Sequence, residues 1–331
     1  MSHDQRPDRE PSWLATGFAP AVLLVVVVVV VSLAVVVRRE ARSSGSPSAP
    51  VSTATQSAVP PATDPGPQVG PPLQPAGPEP GCRGRPSQTV RVLQFNIHAG
   101  IDAAGEVGLS RIAEEIEAAE PDLVSLNEVD DGTRRSGGVD EASYLSRATG
   151  LQGVFGPTLL AYDGGRFGNA ILSRYPVLES HITPLPEVSG YEPRALLTAT
   201  VRVGHRTVSF SSLHLSAGGG GAADRVVEAE TVARALRADR NPTVVAGDLN
   251  SEPSELPVRI LRQHLLDAQE QAGSGPGDTV DEGDLSRRID YVLYDDHFAA
   301  VADSTQVLPS AVSDHRSVVT DLALLPPHGC R

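Results

Sequence analysis

Hydrophobic and polar positions divide this chain into three stretches of different character. Residues 17–37 carry no charge and are dominated by valine. A run of this kind matches the roughly 20 apolar residues that a helix needs to cross a bilayer core. A cleavable signal has a shorter core, about 7–15 residues, followed by small residues. Here Arg38, Arg39 and Glu40 follow directly. The pattern therefore predicts an uncleaved transmembrane anchor at 17–37, behind a short tail at 1–16. Residues 38–81, rich in Pro, Ser and Ala, predict a disordered linker. Only 82–331 has the alternation of a folded domain.

In that region, periods of two and of three to four interleave. Residues 89–95 alternate, predicting a strand that ends at Asn96. Residues 110–120 place Ile112 and Ile116 four apart, predicting a helix capped by Ser110 and stopped by Pro121. Further strands are expected at 122–126, 170–172, 243–246, 289–294 and 317–324. A hairpin is expected at 197–203 and 207–213, turning at Gly204 and His205. Residues 222–237 predict a helix with Val226, Ala229, Ala233 and Leu236 on one face. Residues 218–221 and 273–287 read as loops. Interleaved strands and helices, with hairpins among them, imply α and β layers around mixed sheets.

Composition narrows the chemistry. All 27 basic residues are arginine, which excludes a lysine Schiff base or a lysine-containing phosphate loop. The formal charge is −14. Five Arg and six acids precede Cys82, so 82–331 keeps 22 Arg against 35 acids, or −13. Such a domain is poorly suited to sequence-independent capture of nucleic acid, although a bound metal would change the local field. The two cysteines, Cys82 and Cys330, bracket the domain. They are either two free thiols or a terminal disulfide, which forms in oxidising compartments. The disulfide reading, with the stalk-like linker, places the domain outside the membrane. The arginines after the apolar run point weakly the other way.

Several predicted strands end or begin in an isolated metal- or proton-handling side chain. These are VLQFN (Asn96), LVSLNE (Glu128), SSLH (His214), VVAGDLN (Asp248, Asn250), RIDYVL (Asp290) and SDHRSVV (Asp314, His315). Alone, each has a plain alternative. GDLN suits a turn in which Gly supplies an unusual backbone angle. SDH suits a cap, Asn96 a strand-end cap, His214 a half-buried histidine, and Glu128 a solvated one. Asp290 is harder to dismiss, because an unpaired buried carboxylate is costly, and His315 is its natural partner. A hard cation such as Mg²⁺ takes oxygen ligands of this type. No cysteine cluster or closely spaced histidine pair argues for zinc.

Taken in order, VLQFNIHAG, PDLVSLNEVD, GRFGNAILSRYPV, FSSLHLS, VVAGDLNSEP, RRIDYVL and SDHRSVVTDL resemble the endonuclease/exonuclease/phosphatase family across the whole folded region. The resemblance implies an α/β (α+β) four-layer sandwich, two mixed β-sheets flanked by helices, here preceded by one transmembrane helix. It implies hydrolysis of phosphoesters, and more narrowly phosphodiesters, with Mg²⁺ or Mn²⁺. Glu128 would be the main metal ligand, with Asn96 beside it and Asp314 completing the shell. Asp248 and Asn250 would orient or deprotonate the attacking water. Asp290 would hold His315, and His214 and His315 would bond the phosphoryl oxygens. Asn169 matches a position near substrate, and Arg194 is a further candidate phosphate contact. One departure is Asn127, where the family commonly has the longer Gln. A phospholipid headgroup, a small phosphodiester or a nucleic acid would be the substrate of a membrane-bound monomer. A surface nuclease and a catalytically inactive binding module are the alternatives.

Overall fold

The computed structural model describes residues 72–74 and 88–326, except 103, 189, 191, 283 and 284. All belong to one compact unit, Pro65–Arg331. The expected anchor at 17–37, most of the linker, Cys82 and Cys330 lie outside the described residues. Among those described, no helix is long and apolar enough to cross a membrane. Within the expected linker, the Leu73 N–H donates to the Arg262 carbonyl at 2.7 Å, and the half-buried Leu73 side chain packs on the domain.

In chain order the elements are β1 (Gln88–Asn96), α1 (Leu109–Ala119), β2 (Leu123–Asp131), α2 (Glu141–Thr149), β3 (Gln152–Tyr162), β4 (Gly165–Ser173) and β5 (Val177–Pro184). Then come β6 (Ala195–Val203), β7 (Arg206–His214), α3 (Ala222–Ala238), β8 (Thr243–Asp248), α4 (Leu256–Leu261), β9 (Leu266–Asp267) and α5 (Ala268–Ala272). The chain closes with β10 (Val280–Glu282), β11 (Leu285–Arg287), β12 (Asp290–Tyr294), β13 (Phe298–Ala300), β14 (Gln306–Leu308) and β15 (Ser317–Leu324).

Apart from the two-stranded β10–β11 sheet, these strands form two mixed sheets. The first runs β13-β15-β1-β2-β4-β3, with β14 also on β15; the second runs β5-β6-β7-β8-β12-β9. The period of two sorts their side chains into layers. Val90, Val92, Leu123 and Ile171 of the first sheet meet Leu197, Ala199, Val208, Phe210, Val244 and Val292 of the second. The alternate residues Leu93, Phe95, Val124 and Leu126 pack beneath Ile112 and Ile116 of α1 and Leu145 of α2. Leu213, Val245, Tyr291 and Leu293 pack beneath Ala229, Val232 and Ala233 of α3 and Val258 of α4. The result is helix, sheet, sheet, helix.

Three expectations change. Ser110 lies inside α1, whose N-cap is Gly108. Residues 273–287 hold the β10–β11 hairpin. Gly247 of GDLN does not have the left-handed backbone expected of a turn glycine. Instead, a Cβ there would lie 1.8 Å from the Leu213 carbonyl oxygen of the neighbouring parallel strand.

Candidate active site

The inner-face alternation of the central strands carries straight into the site. On β1 the inner positions Val90 and Val92 are followed by Gln94 and Asn96; on β2, Leu123 is followed by Ser125 and Asn127. On β7, Val208 and Phe210 are followed by Ser212 and His214; on β8, Val244 and Ala246 by Asp248. Strand β12 runs the other way and begins at Asp290. Register lines these residues up: His214 pairs with Asp248, Asp248 with Asp290, and Asn96 with Asn127. One end of the inter-sheet layer is thereby polar on both sides.

Glu128 reaches this end through a distortion. Its φ is +56°, a region that non-glycine residues seldom adopt. Pairing of β2 with β4 skips between Leu126 and Val129, so Asn127 and Glu128 together face Asn169. Such a bulge re-aims a side chain. Here it brings Glu128 Oε1 to 3.0 Å from the Asn96 amide nitrogen, which also donates to Asp248 Oδ2 at 3.1 Å. The Asn96 side-chain oxygen accepts the His98 N–H at 3.1 Å. Asn250, φ +45°, follows Asp248 in a second left-handed turn. Its backbone N–H donates to Asp248 Oδ1 at 2.8 Å, and its side chain lies 3.1 Å from His214 Nε2.

The two histidines are in opposite electrostatic settings. His214 is buried, with the Arg194 guanidinium 3.4 Å from Nδ1. Burial and then the cations Arg194 and His315 hold its pKa well below the usual value, so the ring is neutral. For His315 burial also acts downward, but the Asp290 carboxylate 2.8 Å from Nδ1 overrides it. With Asp248 adding to the pull, His315 is pushed up to about 10 and stays an imidazolium. Its Nε2 lies 3.7 Å from Asp248 Oδ2, and His214 Nε2 lies 3.6 Å from the same oxygen. Burial, and next the neighbouring Asp290, raise Asp248 above the ordinary carboxylate range. Ligand-type atoms of Asp248, Asp290 and His315 lie within 4.8 Å of one another. We read this trio as an Asp290–His315 hydrogen bond facing Asp248 rather than as a metal site, because a protonated, Asp-bound imidazole is a poor metal ligand. The oxygens of Glu128 and Asp248, bridged by the Asn96 amide, are the better donor set for a hard divalent ion.

The sequence of the Endonuclease/Exonuclease/phosphatase family matches residues 93–315 of the chain. This chain belongs to that family. It is a hydrolase of phosphoester bonds. An endonuclease/exonuclease/phosphatase from Beutenbergia cavernae is 30% identical, covering 73% of this chain and 72% of that one, with a TM-score of 0.60. The human Nocturnin catalytic domain with bound sulfate is 24% identical over 71% of this chain and 94% of its own, TM-score 0.56. A mannosyl-6-phosphatase from Bacteroides thetaiotaomicron is 19% identical over 71% and 99%, TM-score 0.56. These last two share the fold. No curated protein sequence matches significantly.

The geometry sorts the residues expected from the family resemblance. Asn96, Glu128, His214, Asp248, Asn250, Asp290 and His315 meet at the polar end. Asp314 does not join them: its side chain is 62% exposed and lies 3.9 Å from His98 Nδ1. Asn169 is buried, its amide held between Asn127 and the Ala195 carbonyl. Arg194 is buried too, bonded to Glu192 at 2.6 Å. The sequence reading missed the supports. Ser313 Oγ donates to the Asn96 carbonyl at 2.7 Å and accepts the His315 N–H at 3.1 Å. Glu228 of α3 accepts from the Ser216 hydroxyl and N–H, fixing the chain just after His214. Glu228 and Arg225 interrupt the apolar face of α3 as buried charges, the one signal that could have exposed them.

Proposed function

We propose that this chain is a divalent-metal-dependent phosphodiesterase, using Mg²⁺ or Mn²⁺, anchored by residues 17–37 as a monomer with its domain outside the membrane. The observation that supports the chemistry is the pairing of a fixed imidazolium, His315 on Asp290 at 2.8 Å, with Asp248 and with Glu128, held by the Asn96 amide, across the same crevice. Glu128 would hold the ion, with the Asn96 amide orienting its carboxylate beside Asp248. When bound, it neutralises phosphate charge and polarises the phosphoryl group. The rest falls to side chains. Asp248, raised in pKa, takes a proton from water as the water oxygen bonds to phosphorus. Asn250 orients that water. The P–O bond to the leaving alcohol breaks, and the proton returns to the departing oxygen. His315 donates to phosphoryl oxygens as they gain charge, with neutral His214 beside it. The acidic domain favours a small or lipid-linked phosphoester over a polyanion.

The test is hydrolysis by the full chain in detergent, with EDTA, Mg²⁺ or Mn²⁺. Substrates would be bis-(p-nitrophenyl) phosphate, sphingomyelin, phosphoinositides, plasmid DNA and RNA. Expected is EDTA-abolished, metal-restored cleavage of the diester or a lipid. Turnover unaffected by EDTA overturns the metal, and DNA or RNA as the best substrate makes it a nuclease. An impermeant thiol reagent on reduced intact cells tests the orientation: absence of Cys82 and Cys330 labelling overturns an external domain.

A further inference from the structure

Apolar contact between two sheets is non-directional and does not by itself fix their register to a fraction of an ångström. In this chain Glu128 and Asn96 belong to one sheet and His214, Asp248 and Asp290 to the other, so any slip misaligns the site. Two buried amides stand at the junction. Asn127 Oδ1 accepts from Gln94 Nε2 at 2.7 Å and from the Asp248 N–H at 3.0 Å. Its Nδ2 donates to Asn169 Oδ1 at 3.0 Å and the Leu213 carbonyl at 3.1 Å. A primary amide has two N–H groups and one accepting oxygen, so both ends of Asn127 are committed, each with one bond within its own sheet and one to the other. Gln94 Nε2 also donates to Asp290 Oδ1 at 3.2 Å. Its own Oε1 is buried without a partner. Turning the amide over would set that oxygen against two acceptors. Gln94 is therefore held in one orientation despite an unsatisfied atom.

We propose that Gln94 and Asn127 are a pair of positioning residues that lock the sheet-to-sheet register at the site and orient the Asp290 carboxylate toward His315. With Gln94 on Oδ1 and His315 on Oδ2, the carboxylate plane is fixed, and through it the imidazole. The pair divides one span between a long side chain on β1 and a short one on β2. An exchange of lengths should preserve it. This proposal rests on the phosphoesterase reading, and the two can fail separately.

The variants are Gln94→Leu, Gln94→Asn, Asn127→Gln and the exchange Gln94→Asn/Asn127→Gln, in the full chain. On bis-(p-nitrophenyl) phosphate, Gln94→Leu should lower kcat about 10–100-fold, as loss of an orienting partner does, while KM moves little. Its kcat is read per folded molecule, because the substitution removes the orphan oxygen but also the donor to the buried Asp290 Oδ1. Each single amide change should lower kcat, and the exchange should recover much of it. The low-field imidazole N–H resonance of His315, assigned by its absence in His315→Gln, needs no substrate. It should shift or vanish in Gln94→Leu and return in the exchange. Wild-type kcat and an unchanged resonance in Gln94→Leu overturn the proposal, as does an exchange worse than both single variants. A wild-type chain inactive on every phosphoester overturns the functional reading, and the resonance still decides the lock.

Discussion

The layer between the two sheets has an apolar half and a polar half, built on the same strands with the same period of two. In the apolar half Val90, Val92, Leu123, Val208, Phe210 and Val244 interdigitate from both sheets. In the polar half Ser125 and Ser212 hydrogen-bond across the gap at 2.8 Å, followed by Gln94, Asn127, Asn96, His214, Asp248 and Asp290. The first half stabilises by removing hydrocarbon from water and tolerates small displacements. The second gains little net from each bond, about 1 kcal/mol, but each bond has a direction. Stability and geometry are thus separated along one axis of the sandwich.

The largest effects expected from that separation are catalytic. Asp248→Ala and His315→Ala should each lower kcat by about 10²–10⁴-fold, the range for a lost proton-transfer or charge-stabilising group, with the fold retained by circular dichroism. Near-normal turnover in both would collapse the comparison. The next effect lies in the other half. Phe210 is fully buried between the sheets, and Phe210→Ala should lower unfolding free energy by about 3–5 kcal/mol. Measured by urea denaturation and corrected for the folded fraction, its kcat should stay near wild type. A large loss of kcat per folded molecule would show that the apolar half also sets the geometry.

How legible this was depends on the same alternation. The strands ending at Asn96, Asp248 and His214 could be read because inner positions repeat every second residue up to a polar terminus. Helices α1 and α3 could be read from Ile112 and Ile116, and from Ala229 and Ala233. Helix α2 was not, since only Ala142 and Leu145 mark its apolar face, and its N-cap, Asp140, looks like any loop acid. The network of Gln94, Ser125, Asn127 and Ser212 went unread although each sits at the inner phase of its strand. A polar residue at a core-facing position is a signal, but its partner lies on another strand, 33 residues away for Gln94 and Asn127 and 87 for Ser125 and Ser212. Asp314 illustrates the converse. Adjacent to His315 in sequence, it lies in the bend before β15 and faces the solvent while His315 turns inward.

A buried carboxyl outside the inter-sheet layer sharpens the comparison. Glu141, at the start of α2, is fully buried; Oε2 accepts the Asp130 N–H at 2.8 Å and Oε1 has no partner. It braces β2 two residues beyond the Glu128 bulge. Burial pushes its pKa up to about 8, against the smaller opposing effect of the Asp130 N–H. The folded protein therefore holds a proton that the unfolded chain releases near 4.5. That contribution to stability is fully present below the unfolded value and is lost as pH rises toward the folded one. Glu141→Gln, which cannot ionise, should remove it. The wild-type stability minus that of the variant should then fall by about 2–3 kcal/mol between pH 5 and 7, from 1.36 kcal/mol per unit. Urea melts at the two pH values measure this directly. A difference independent of pH would mean that Glu141 ionises in place.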